Sequence, residues 1–375
     1  MIKTKYILPL IVMSGTFWGC EVEIEPPADD ENHPITVTAL ASAGEPLSVR
    51  LSWTDAINEA LSAPYADSYE MWRVLNFLNE SITSHSLMFD SYYKQFVATR
   101  ATVKAVVDGN EYDLIYNAKT LNYECRDYIA EPGDRITINV QADKSEYNQS
   151  PSDEPVHIQS TCTVEVPTHT ADVEILKADK VYRELEKYYP LGTVERDVDS
   201  VVVFTLRLKS PSPGVNCFRL KVTSLYCLLD DPEWTEYITP ISAYHSGDAL
   251  LYDAAIEKGF GPWPAYQSDV FTDESFNNGE YIINVSSRVS MLGGSSDRTE
   301  TRYFEIELQP INQALMDYLS VLYRMRVTTP SYFSEPSSIP SNIEGGVGVF
   351  GAIGKSKKIR YFLPGEENSA IPPVE

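Results

Sequence analysis

The chain has 375 residues, long enough for two domains with sizeable cores. Its 54 acidic residues against 30 basic ones give a formal charge of −24, which argues against nucleic acid as a partner, because phosphate binding relies on clustered Lys and Arg. Twenty-four Tyr, 24 Pro and many Val, Ile and Thr point to sheet with frequent turns.

Residues 1–20, MIKTKYILPLIVMSGTFWGC, have the layout of an export signal. Lys3 and Lys5 form a basic start, Tyr6 to Met13 an apolar stretch, and Ser14, Gly15 and Gly19 are the small residues expected near a cleavage site. The apolar run from Tyr6 to Trp18 holds 13 residues, short of the roughly 18 needed to span a membrane. A cysteine at the junction marks a lipoprotein signal, with residues 1–19 removed and Cys20 lipidated, although Phe17-Trp18 departs from the usual Leu-Ala/Ser lead. That cut takes away Lys3 and Lys5 and no acids, leaving 28 basic against 54 acidic residues. Each buried acyl methylene contributes about 0.8 kcal/mol, so two or three chains hold a protein on a membrane lastingly. Residues 20–34 follow as an acidic tether with three prolines.

From Ile35 the pattern turns to β. In PLSVRLSW, Leu47, Val49, Leu51 and Trp53 alternate with Ser48, Arg50 and Ser52, as in a half-buried strand. Residues 55–98 break the alternation, carry Trp72, Leu75 and Phe77, and read as a partly helical insertion. Strand patterns resume in ATVKAVV, EYDLIYN, LNYECRDY, DRITINVQA and STCTVEVP, with Asp108-Gly109 as a hairpin turn between the first two. About seven strands at this spacing predict an immunoglobulin-like sandwich over 35–168.

A second β-rich domain is expected over 169–375, from DSVVVFTLRLK, NCFRLKVTSLYCLL, EYIINVSS and TRYFEIELQ. QPINQALMDYLSVLYRM is the strongest helix signal. Pro310 suits its first turn, and Ile311, Leu315, Leu319 and Leu322 line one face that would pack on the second sheet. The fold class is therefore mainly β: two β-sandwich-like domains, the first with a helical insertion and the second with a helix in its C-terminal region.

Four cysteines follow Cys20. Leu121, Tyr123 and Cys125 share one strand face, as do Ile158, Cys162, Val164 and Val166. Cys125 and Cys162 thus point inward, either as a core disulfide or as buried thiols. Cys217 lies on the face of Arg219 and Lys221, opposite Phe218, Leu220 and Val222, and Cys227 follows on the same segment.

Few motifs suggest chemistry. GGVGVFGAIGKSKKIRYF invites a phosphate-loop reading, but Val349 stands where a glycine is needed and KKIRYF reads as a strand rather than a helix. Small residues that let a strand pass close to its neighbour fit better. His33, His85, His157, His169 and His245 stand apart, and no GxSxG elbow or Cys/His ligand spacing occurs. No catalytic residue, metal site or cofactor is expected. Asp230-Asp231 with Glu233, and Asp269 with Asp273 and Glu274, lack a calcium-loop spacing and read as solvated surface acids. Trp234, Tyr244, Trp263 and Tyr266, in loop-like sequence, are the candidate ligand contacts.

Three segments carry a family resemblance: the lipoprotein signal with its acidic tether and first strand, SDVFTDESFNNGEYIINV over 268–285, and the C-terminal block YFEIELQPINQALMDYLSVLYRM with PSNIEGGVGVFGAIGKSKK. In this order they resemble the Bacteroidetes lipoproteins grouped as domain of unknown function 4249. The resemblance brings no assigned activity and no catalytic motif, and no enzymatic activity is expected. It implies an accessory lipoprotein of the outer membrane, held in lipid through Cys20 and working beside a TonB-dependent transporter. Glu21, Glu23 and Glu25 after the lipid cysteine match a tendency toward export to the cell surface. Other readings are a fimbrial or adhesin-type structural lipoprotein and an extracellular glycan or peptide hydrolase.

Overall fold

The computed structural model describes residues 35–53, 97–143, 157–188, 194–211, 214–228, 237–238, 244–246, 248–251, 268–289, 299–327 and 339–363. Side chains are described for these except at 183–188, 194–200, 224–228, 237–238, 244–245, 288, 299–302 and 323–327. The signal segment, Cys20, the tether and most of the 55–98 insertion lie outside this set.

The first half is built from β1 (Ile35–Ser42), β2 (Pro46–Trp53), β3 (Thr102–Val107), β4 (Asn110–Asn117), β5 (Asn122–Ile129), β6 (Arg135–Asp143) and β7 (His157–Glu165). Neighbours run β1-β2-β5-β4-β3-β6-β7, all antiparallel. Alternation directs Ile35, Val37 and Ala39 of β1, Leu47, Val49 and Leu51 of β2, and Ile136, Ile138 and Val140 of β6 into one apolar core. Asp108 and Gly109 have φ of 49° and 81°, as a two-residue type I′ hairpin requires, and they join β3 to β4 as the sequence predicts.

The second half contains β8 (Asp172–Tyr188), β9 (Val194–Lys209), β10 (Cys217–Leu228), β11 (Tyr237–Ile238), β12 (Tyr244–His245), β13 (Val270–Thr272), β14 (Glu280–Arg288) and β15 (Thr299–Ile311). Helix α1 (Gln313–Val327) and strands β16 (Val347–Ile353) and β17 (Lys358–Phe362) follow. β12-β14-β9-β8 form one sheet. Val202, Phe204, Leu206 and Leu208 of β9 and Ile283 and Val285 of β14 face Phe218, Leu220 and Val222 of β10 and Phe304, Ile306 and Leu308 of β15 across a second core. This is a sandwich in the ordinary sense, two sheets with their inner faces interdigitated. Among the described residues, the mainly β fold with one α-helix toward the C-terminus is as the sequence predicts.

The expected domain boundary near 168 is crossed. β16 leaves the second half and pairs in parallel with β1, from Thr36 opposite Val347 to Ser42 opposite Ile353. Residues 34–375 accordingly form one compact unit. Phe350 and Ala352 of β16 enter the first core, whereas Val349 and Ile353 face the other way and pack under α1 with Leu40, Leu315, Leu319 and Leu322. A strand buried on both faces reads as a continuous apolar run, which accounts for VGVFGAI.

One expectation needs correction, and one alternative left open is decided. Pro310 lies in β15 opposite Phe218, not in the first turn of the helix. The helix is capped by Asn312, whose Oδ1 accepts from the backbone N–H of Leu315 at 3.2 Å and of Ala352 at 3.0 Å. Cys125 and Cys162 do point into the first core, but as free thiols. They stand on β5 and β7, with β4, β3 and β6 between them along the sheet, and each fills its place as a small apolar side chain. Burial pushes the Cys162 thiol up to about 11.

Candidate functional site

β10 has a sharp division of labour between its faces. Phe218, Leu220 and Val222 enter the second core, and Cys217, Arg219, Lys221 and Thr223 take the opposite face by alternation. Register places Arg219 beside Gln309 of β15, Lys221 beside Glu307, and Thr223 beside Glu305. On the far side of β15, Glu307 meets Lys358 and Glu305 meets Arg360 of β17. The result is a band of charged and amide side chains running across three strands.

Part of that band is fully enclosed. Arg219 is 0% exposed, and its Nε donates to Asp269 Oδ2 at 2.9 Å. Asp269 is itself fixed by the backbone, since its carbonyl accepts from Leu220 N–H at 2.9 Å. Gln309 Nε2 donates to Glu307 Oε2 at 3.1 Å, and the Ser356 hydroxyl donates to Glu307 Oε1. Asp269 Oδ1 and Gln309 Oε1 are buried without a hydrogen-bonding partner among the described residues. Arg360 is more open: its Nε donates to Glu305 at 2.9 Å and its guanidinium lies 5.2 Å from the Tyr303 ring centroid.

Removing two charges from water is costly, and mutual attraction offsets that cost only in close, well-bonded geometry. The Arg219–Asp269 pair meets the distance condition and ties the residue just before β13 to β10. The sequence reading of Asp269 as a solvated surface acid is therefore corrected: it is 3% exposed and committed to an arginine.

Asp273 forms a second node in the same family segment. Its Oδ1 accepts from Asn216 N–H at 2.8 Å, and its Oδ2 from Ser210 Oγ at 2.6 Å and Asn216 Nδ2 at 2.8 Å. Burial pushes this carboxyl up, but the Asn216 and Ser210 hydrogen bonds outweigh it and hold the group below its ordinary value. The turn that follows has φ of 52° at Asn278 and 75° at Gly279. A Cβ on Gly279 would stand 2.6 Å from the Ser210 carbonyl oxygen. Asp269 and Asp273 thus each serve protein donors, and they anchor the segment on β10 and on the 210–216 loop.

The site residues expected from sequence are not brought together by the described structure. Cys20, Trp234, Trp263 and Tyr266 lie outside the described residues. Tyr244 falls in β12 opposite Ser287, with its side chain outside the description. Among the described residues, no three His, Cys, Asp or Glu side chains are grouped so as to hold a metal ion. The buried arginine node escaped sequence reasoning. Its one signal was a charged residue inside the apolar alternation of NCFRLKV.

Fold and site together define a class of protein, a mainly β chain with two large apolar cores whose most buried carboxylates, among the described residues, are bound to its own side chains. The family model described as domain of unknown function (DUF4249) matches residues 21–359, and the chain belongs to that family. No curated protein matches it.

Proposed function

We propose that this protein is an outer-membrane lipoprotein, exposed on the cell surface, that captures a ligand or serves as an accessory subunit of a TonB-dependent transporter without catalysing a reaction. The observation that carries this reading is the junction at Gly19-Cys20. The family match begins at Glu21, directly after the cysteine, so residues 1–20 lie outside the shared domain, as a removable leader and its lipidated residue would. The acidic tether and the net negative charge suit a body that stands off an anionic lipid surface.

Two experiments test the proposal. Cys20→Ser is expected to abolish incorporation of labelled fatty acid and to move the chain from membrane to soluble fractions; retention on the membrane would overturn the anchor. Affinity capture of the tagged chain from outer membranes is expected to recover a TonB-dependent transporter, and repeated recovery of the lipoprotein alone would overturn the accessory role.

A further inference from the structure

The two cores differ in where their strands come from. Every buried member of the second core belongs to residues 173–363. The first core draws on 35–166 and then, after a gap spanning the whole second sandwich, on Ile343, Phe350 and Ala352. The late segment fills the position between two first-half strands. On one side β16 runs in parallel with β1 over seven register pairs. On the other, Glu344 bridges Thr161 of β7 with reciprocal backbone bonds of 2.9 and 3.0 Å, and Ser160 Oγ donates to the Gly345 carbonyl at 2.8 Å. Asn342 braces this entry, accepting from Phe350 N–H at 2.9 Å and donating to its carbonyl at 3.0 Å.

We propose that residues 341–354 are a closing strand on which the first sandwich depends and the second does not. Without it, β1 loses its hydrogen-bonding neighbour on one side and β7 loses its bridge to Glu344. The core would also lose Phe350, one of its largest fully buried side chains. The slot is narrow as well as apolar. Gly348 has φ of +118°, and a Cβ there would lie 2.1 Å from the Val37 carbonyl oxygen, so the strand fits only where it carries no side chain. Of the apparent phosphate-loop glycines, Gly345, Gly346, Gly348 and Gly354 are thus sites of close backbone approach, and Gly351 meets the Leu315 side chain. Among the described residues β16 puts no side chain into the second core; it meets that half at the Ile311–Ile353 pair with β15 and, through Val349 and Ile353, in the layer under α1.

Hydrogen exchange on the full-length protein separates the halves. Gly348→Val is expected to speed exchange of β1, β2 and β7 amides by about 100-fold or more, while β9 and β14 amides stay within about threefold of wild type. Equal loss of protection in both sandwiches, or none in either, would overturn the proposal. Gly346→Ala, whose Cβ would meet the Ile35 carbonyl at 2.9 Å, is the milder variant should Gly348→Val fail to accumulate, with the same ordering expected at smaller size. A synthetic peptide of residues 341–357 added to the Gly348→Val protein is expected to restore protection to β1 and β7, and a peptide with Val at 348 is not. Failure of the glycine peptide to restore it would also overturn the closing role.

Discussion

The first and second sandwiches both bury an arginine, yet they do so differently. Arg50 of β2 donates its Nε to Asn122 Oδ1 at 2.9 Å and its Nη2 to the Thr120 carbonyl at 3.0 Å, both neutral acceptors, and is 9% exposed. Arg219 of β10 is wholly enclosed with a carboxylate. The first sandwich keeps a core of apolar side chains and small thiols and depends on a strand from far along the chain. The second takes no side chain of its core from β16 and encloses an ion pair instead. Two sandwiches of similar architecture can thus fail for opposite reasons, one through a missing strand and the other through an orphaned charge.

Breaking the ionic contact gives the largest expected effect. Arg219→Ala leaves Asp269 buried and unpaired and is expected to cost about 3–5 kcal/mol in urea unfolding, with the double change Arg219→Leu, Asp269→Leu costing less. If the single and double variants are equally destabilised, the pair is not what the second half depends on. Phe350→Ala attacks the first half through its borrowed strand, at about 3–5 kcal/mol. Its loss of protection should fall on β1 and β7 before β9.

Smaller changes sharpen the contrast. Tyr123→Phe removes a hydroxyl that donates to the Ala98 carbonyl at 2.7 Å and accepts from Ala101 N–H at 2.9 Å. It is expected to cost about 1–3 kcal/mol, because both backbone groups lose their partner. Asp273 supplies a pH signature confined to the second half. Its folded pKa lies below the unfolded one, so its contribution is present above about pH 4 and is lost as pH falls through the folded value. Wild type should therefore lose stability on acidification below about pH 4 more steeply than Asp273→Asn; parallel acid profiles would remove Asp273 from the account. The smallest effect is chemical. Burial raises the Cys162 and Cys217 thiols to about 11, so peptide mapping should find neither alkylated at pH 8 until denaturant is added.

Local signals were the legible ones. Asp108-Gly109 and Asn278-Gly279 sit in the hairpin turns their φ values demand, and alternation placed Leu47, Tyr123, Cys125 and Cys162 inward. Strand β8 was not legible, since DVEILKADKVYRELEKY is rich in Leu, Lys, Ala and Glu, which favour helix. Its long pairing with β9 overrides that preference. VGVFGAI reads as an enclosed strand, but nothing in it singles out β1 as the partner it pairs with in parallel. For the site, alternation put Arg219 on the face away from the second core, but what covers that face depends on where β13 and α1 come to rest. The aromatic residues expected to touch a ligand lie outside the described structure, apart from the backbone of Tyr244.

The register of β1 with β16 also sets a clock. Thr36 and Val347 are about 310 residues apart, and closing a loop of that length costs only about 5 kcal/mol beyond a constant, because the cost grows with the logarithm of length. Delay is the heavier burden. At synthesis rates of about 5–20 residues per second, the partner of β1 emerges roughly 15–60 s after β1 itself. Throughout that interval an apolar edge strand is present with its neighbour not yet made, which is a condition favouring misassembly. Final closure of the first sandwich waits until β16 has been made.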